Sequence, residues 1–229
     1  MISEASFARA YSSFWQEFTP WINDYTSFVN KGLVERKYEP LNSTDESIHR
    51  SINNVTAVVL FQNMIEQNNS DIDTAFEKAR EIVKNFPRNG LDTYNLDNDQ
   101  MRIIKLQSSR LVDTYKGNDL IFNPQFDGCG ILASCQGDLM YQKTLVEIKA
   151  GERNISSSDI KQVIVYCALN WLAKSERKIE IVEIFNPRQG VLWQSSLSSL
   201  ISSISSLPTE DLFEQIGIYL YESSEDIVL

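Results

Sequence analysis

The sequence predicts a mixed α/β fold, with a helical N-terminal portion over residues 1–117 and an α/β portion over residues 118–229. Three observations predict it. Through most of the first half, apolar and aromatic residues recur at three- and four-residue spacing, as helices with one buried face require. Between residues 139 and 150 that spacing gives way to alternation in two short runs, which reads as a strand pair. A capped helical stretch and two further β-branched runs follow, so strands and helices interleave in the second half.

Taken in order, Phe7, Tyr11, Phe14, Trp15 and Phe18 fall at helical spacing until Pro20 interrupts them, and Trp21, Tyr25 and Phe28 extend the aromatic stripe. Such a stripe is expected to be core; a partner-binding face is the alternative. Ser43 and Glu46 form a capping-box pattern ahead of a helix with Ile48, Ile52, Val55 and Val59 on one side. A helix over 70–86 is expected to stop at Pro87-Arg88-Asn89-Gly90, followed by a loop rich in Asn and Asp and a helix over 101–115. In that last helix Arg102, Lys105 and Arg110 face either a phosphate or solvent.

In the second half, Leu139-Met140-Tyr141 and residues 144–150 read as the strand pair. Residues 156–174 read as a helix opened by a serine and aspartate cluster. Strands over 179–185 and 191–193 flank the turn Asn186-Pro187-Arg188-Gln189-Gly190. Leu197, Leu200, Ile201 and Ile204 make 195–206 an amphipathic helix despite its serines, and Pro208 separates it from a last helix over 210–221.

Composition narrows the function. Against 21 Lys and Arg stand 31 Asp and Glu, a net charge of -10, which argues against a broad electrostatic coat on nucleic acid. Positive charge is local instead: Lys143, Lys149, Arg153, Lys161, Lys174, Arg177 and Lys178 cluster in one stretch, and no Lys or Arg follows Arg188. No leader pattern and no membrane-length apolar run is present, so a cytoplasmic location is expected. Cys129, Cys135 and Cys167, with the single His49, do not have the spacing of a zinc module and are expected to be reduced, buried side chains. There is no internal repeat, Walker loop or Rossmann fingerprint.

The chemistry-bearing stretch is Gly137-Asp138, eight residues, then Glu147-Ile148-Lys149. Alternation puts Glu147 and Lys149 on one face of their strand and Val146 and Ile148 on the other. Gly137 lets the backbone come close where Asp138 is presented. Two carboxylates and an ammonium then meet, a way to hold a hard divalent cation against a phosphate. The helix that follows carries Gln162 and Tyr166, four apart and so stacked on one face.

This GD…ExK pattern with a Q-x-x-x-Y helix resembles the PD-(D/E)xK nuclease superfamily, in particular its RecB-like and lambda-exonuclease-like branches, over about residues 120–195. The usual Pro before the Asp is Gly137 here. The resemblance implies a restriction-endonuclease-like core, a central mixed sheet flanked by helices, with the helical N-terminal portion packed on or beside it. It implies hydrolysis of a phosphodiester, DNA favoured over RNA, with Mg²⁺ or Mn²⁺ held by Asp138, Glu147 and the Ile148 carbonyl. A glutamate from an early helix often joins such a site, and Glu46 is the choice here. Lys149 would orient the attacking water or stabilise developing charge, and Gln162 and Tyr166 would brace the site. Arg153, Lys161 and Arg188 are the candidate substrate contacts. A helicase or ATPase partner in phage defence or DNA repair is the corresponding expectation. The competing reading is a non-enzymatic protein that keeps the nuclease fold and binds another protein through its aromatic N-terminal helices.

Overall fold

The computed structural model of the chain describes residues 1–42, 47–66, 69–84 and 94–225. Its centre is a six-stranded mixed sheet with helices on both faces. Three short helices open the chain: α1 (Glu4–Ala10), α2 (Ser12–Phe18) and α3 (Ile22–Phe28). Ser3 caps α1 by accepting the Ser6 N–H, and Glu4 stands in the first turn, where the exposed N–H groups favour negative charge. A π-helical turn, Val29–Leu33, leads into β1 (Glu35–Arg36). Three longer helices follow, α4 (Ser47–Glu66), α5 (Ile72–Val83) and α6 (Asn98–Tyr115). The proposed Ser43/Glu46 cap and the Pro87–Gly90 turn lie outside the described residues.

The strand-rich half comprises β2 (Leu120–Phe122), β3 (Gln125–Phe126), β4 (Cys135–Gln136), β5 (Leu139–Tyr141) and β6 (Thr144–Ile148). Then come α7 (Ser157–Leu172), β7 (Ile181–Asn186), β8 (Val191–Ser196), α8 (Leu197–Ile204) and α9 (Thr209–Glu225). Sheet order is β1-β8-β7-β6-β5-β2, and β3 and β4 form a separate ribbon. β2, β5 and β6 are antiparallel neighbours; α7 then crosses over so that β7 runs parallel to β6. β8 and β1 complete the sheet antiparallel.

The alternation read from the sequence decides which side chain meets which helix. Met140, Leu145, Val182, Ile184 and Trp193 face one way and join α7, α1–α3, α8 and α9 in the main core. Leu139, Val146, Phe185 and Leu192 face the other way, against Phe61 of α4 and Leu111 and Tyr115 of α6. Phe7, Phe14 and Trp15 are buried in the main core, as expected of the aromatic stripe, whereas Trp21 and Phe28 are exposed.

The boundary expected at 117/118 does not separate two cores. α1–α3 pack on α7, and β1 adds a strand to the sheet from within the nominally helical portion. Among the described residues no helix is long and apolar enough to cross a membrane.

Candidate active site

The β5–β6 ladder ends at the pair Leu139↔Val146, and the next two positions, Asp138 and Glu147, carry the carboxylates. Beyond that pair the Ile148 N–H donates to Asp138 Oδ2 at 2.6 Å, a charge-assisted bond that fixes the carboxylate on the strand edge. The Lys149 N–H donates to the Phe185 carbonyl of β7. Successive residues of a strand alternate edges, so the Ile148 N–H and carbonyl both leave β6 on the Asp138 side. Upstream, Gly137 is packed closely: a Cβ there would lie 3.2 Å from the Phe126 ring and 3.3 Å from Leu145 Cδ1 and Pro124 Cγ. Glycine thus lets β5 approach this wall and sets Asp138 opposite Glu147.

From β6, Glu147 and Lys149 point toward α7. Lys149 Nζ donates to Glu147 Oε1 at 2.7 Å and to Gln162 Oε1 at 2.9 Å. Gln162 uses its amide on Tyr166 Oη at 3.0 Å and Glu4 Oε1 at 3.1 Å. Tyr166, stacked on Phe126 with ring centroids 5.1 Å apart, turns its hydroxyl toward the same Glu4 oxygen. The five motif residues are therefore brought to one place, joined by a glutamate that sequence reasoning did not select.

Glu4 was hidden because its only local signal is an acid in the first turn of a seven-residue helix, and the contact spans 158 positions. What holds α1 there is the chain entry: Ile2 bridges to Leu132, with its N–H on the Ile131 carbonyl and its carbonyl taking the Ala133 N–H. Glu46, the early-helix choice, lies outside the described residues.

Burial and mutual repulsion dominate the electrostatics. Burial raises the Asp138 carboxyl, opposed by the Ile148 N–H and Lys149 and reinforced by Glu4. Burial and the Asp138 charge push Glu147 up to about 8. Burial pulls the Lys149 ammonium down, but Glu147, Asp159 and Asp138 outweigh it and hold Lys149 above its ordinary value. Asp159, read in the sequence only as part of the capping cluster, is a second residue of the site that sequence reasoning did not select. It closes the first turn of α7 by accepting the Ser156 N–H at 2.8 Å, and it lies 3.6 Å from Lys149 Nζ. Burial raises its carboxyl, but Arg153, Lys149 and Ser156 hold it below the usual range.

The three candidate substrate contacts occupy different situations. Arg188 is fully buried; its guanidinium donates to the Ala150 carbonyl and to Asn54 Oδ1, both at 3.1 Å. That position braces the strand end from beneath rather than facing solvent. Arg153 forks onto both oxygens of Asp159 at 2.5 and 2.7 Å. Lys161 lies 5.6 Å from the Trp15 ring centroid, its ammonium pulled down by burial.

Among the described residues no group of three or more His, Cys, Asp or Glu is gathered as a metal cage. Asp138 and Glu147 fit a hard cation in a more open way. Mg²⁺ is commonly bound through one or two carboxylates, with solvent or substrate oxygens filling the rest. A buried Glu147 beside a half-buried Asp138, each disfavouring the other's ionisation, is what such a cation would neutralise. Burial and the charges of Glu4 and Glu147 push the Cys135 thiol up to about 12. His49 stacks on Tyr94, ring centroids 3.9 Å apart. No protein-family model matches the chain, and no curated protein matches its sequence.

Proposed function

We propose that the protein is a divalent-metal-dependent nuclease of the PD-(D/E)xK type that hydrolyses phosphodiester bonds, with DNA the favoured substrate. The observation that carries this reading is the meeting of Asp138, Glu147, Lys149, Gln162 and Tyr166 around one strand end, through the contacts of Lys149 with Glu147 and Gln162 and of Ile148 with Asp138. The mixed sheet, with β6 and β7 parallel across the α7 crossover, is compatible with the restriction-endonuclease-like core that the motif implies.

In this reading Asp138, Glu147 and the Ile148 carbonyl hold Mg²⁺ or Mn²⁺. Bound there, the ion supplies Lewis acidity and neutralises charge at the phosphate. Lys149 stabilises the charge that grows on the phosphoryl oxygens. Gln162 keeps the ammonium aimed by accepting one of its protons, and Asp159 adds a fixed negative charge behind it. Glu4 and Tyr166 hold the Gln162 amide in the orientation that presents its oxygen to Lys149.

A second reading, a protein-binding module on the same fold, draws on the exposed aromatic side chains of Trp21 and Phe28 beside the buried stripe. Purified protein incubated with single- and double-stranded DNA and RNA, with Mg²⁺, Mn²⁺ or EDTA, separates the two. The nuclease reading requires metal-dependent, EDTA-sensitive cleavage. Protein that binds no Mn²⁺ and cleaves nothing belongs to the second reading.

A further inference from the structure

Asn186 closes β7, is buried, and belongs to none of the groups assigned to the chemistry. Its Nδ2 donates to the Gly151 carbonyl at 2.8 Å, and its Oδ1 accepts the N–H groups of Arg188 and Gln189 at 3.0 and 2.9 Å. One side chain thus shapes the β7–β8 turn and grips a segment 35 positions away. That segment, residues 149–156, joins β6 to α7 without regular structure. Nothing lies within 4 Å of where a Cβ on Gly151 would stand, so packing does not hold the chain there, and glycine adds freedom.

The place of the grip matters because of Lys149. Before it, the chain is fixed by the Lys149 N–H on the Phe185 carbonyl. After it, the Ala150 carbonyl takes Arg188 Nε at 3.1 Å and Asn54 Nδ2 at 3.0 Å, and the Gly151 carbonyl takes Asn186. Phe185 and Asn186 are consecutive, so the last two residues of β7 hold the backbone on both sides of Lys149. The ammonium has a choice of partners, Glu147 and Gln162 at 2.7 and 2.9 Å or Asp159 at 3.6 Å, on a flexible four-carbon stem. A cavity of about 60 Å³, lined in part by Lys149, Gly151, Asp159 and Asn186, gives the loop room to sink once the grip is released.

We infer that Asn186 is a positioning residue for the reaction: by holding the Gly151 carbonyl it keeps Lys149 directed at Glu147 and Gln162 rather than at Asp159. The inference rests on the nuclease reading and adds to it a residue that touches neither metal nor substrate. Its effect on the rate passes through Lys149 alone, which sets it apart from a residue that only stabilises the fold.

The test is a double-mutant cycle on a labelled oligonucleotide that the parent cuts, with Mn²⁺ binding and melting temperature measured on each variant. Asn186→Ser is too short to reach the Gly151 carbonyl, while its hydroxyl can still accept from the turn. It is expected to lower kcat about tenfold, as a small misplacement of a reacting group does. KM and Mn²⁺ affinity should stay within about twofold of the parent. In a Lys149→Ala background the same substitution should change the rate by less than about twofold, because nothing is left to position. Asn54→Ala removes one of the two donors on the Ala150 carbonyl from a different element. It should give a smaller loss that also vanishes in the Lys149→Ala background, and it decides the matter if Asn186→Ser does not fold. An equal loss in both backgrounds, or unchanged kcat in the folded variants, would make Asn186 a stability residue and leave the nuclease reading standing. A parent chain that neither cleaves nor binds Mn²⁺ would remove that reading and the role of Asn186 with it.

Discussion

Glu147 and Glu183 lie on neighbouring strands, one register position apart, and both are buried carboxylates raised by that burial. They point to opposite faces of the sheet, and their surroundings differ in kind. Glu183 faces α6, where the Tyr115 hydroxyl donates to one oxygen and the Gln194 amide to the other. Neutral donors satisfy it, and its role is complete within the fold. Glu147 faces α7 and is set against a second carboxylate, Asp138, with one ammonium between several acids. Packing alone gives no reason to set a half-buried carboxylate against a buried one, whereas a cation or a phosphate-bound metal would. One face uses its buried acid for stability; on the proposed reading the other offers its acid to a ligand.

The largest expected effect comes from exchanging the two roles. Asp138→Ala and Glu147→Ala should abolish both Mn²⁺ binding and cleavage. Lys149→Ala should retain Mn²⁺ and lose on the order of 10²-fold in rate, the cost of removing a charge aimed at a developing anion. Glu183→Ala should do the reverse, keeping cleavage while destabilising the fold by roughly 1–3 kcal/mol, because the Tyr115 hydroxyl is left buried without its acceptor. Thermal melts beside cleavage assays decide it. If Lys149→Ala cleaves like the parent and the carboxylate variants only unfold, Glu147 is as structural as Glu183.

A sharper comparison uses pH. The folded-state value of Glu147, about 8, lies above its ordinary 4.5, so between those values the folded metal-free chain holds a proton that the unfolded chain releases. That contribution to stability is full below about 4.5 and is lost as pH rises through about 8. Metal binding must displace the proton, so apparent Mn²⁺ affinity should fall by up to about tenfold per unit below that value. The rise in melting temperature on adding Mn²⁺ should accordingly be larger at pH 8 than at pH 6. A shift independent of pH would mean that the metal does not contact Glu147.

The smallest effect belongs to Tyr166→Phe. The ring keeps its stack on Phe126, and the losses are the hydrogen bond accepted from Gln162 and the longer one donated to Glu4. A contribution of ~1 kcal/mol translates into a few-fold slower cleavage at unchanged melting temperature. A larger drop in melting temperature than in rate would make Tyr166 a core residue.

Much of this arrangement was legible in sequence, and the reasons are local. The alternation in 144–148 fixed which side of β6 bears Glu147 and Lys149, and the serine and aspartate cluster marked where α7 begins. Helical spacing puts Gln162 and Tyr166 on one face, and the resemblance singles them out for the site. What stayed hidden depends on distant partners. Glu4 acquires its meaning from Gln162, far along the chain. Arg188 reads as a turn residue until Asn54 and the Ala150 carbonyl enclose it. β1 has only two residues, both exposed, so no alternation could announce it. The apparent break near residue 117 is a change of composition, and α1–α3 cross it to complete the core around α7.

The tether between Glu4 and Gln162 has a consequence for biosynthesis. On a ribosome, α1 emerges long before the helix it must meet, and so long a contact closes slowly compared with helix formation. The hydrogen-bond chain that aims Lys149 is therefore among the last parts of the molecule to assemble. Until then Gln162 lacks the acceptor that orients its amide. A nascent chain therefore carries Lys149 and Gln162 unaligned, and their arrangement arrives only with the finished fold.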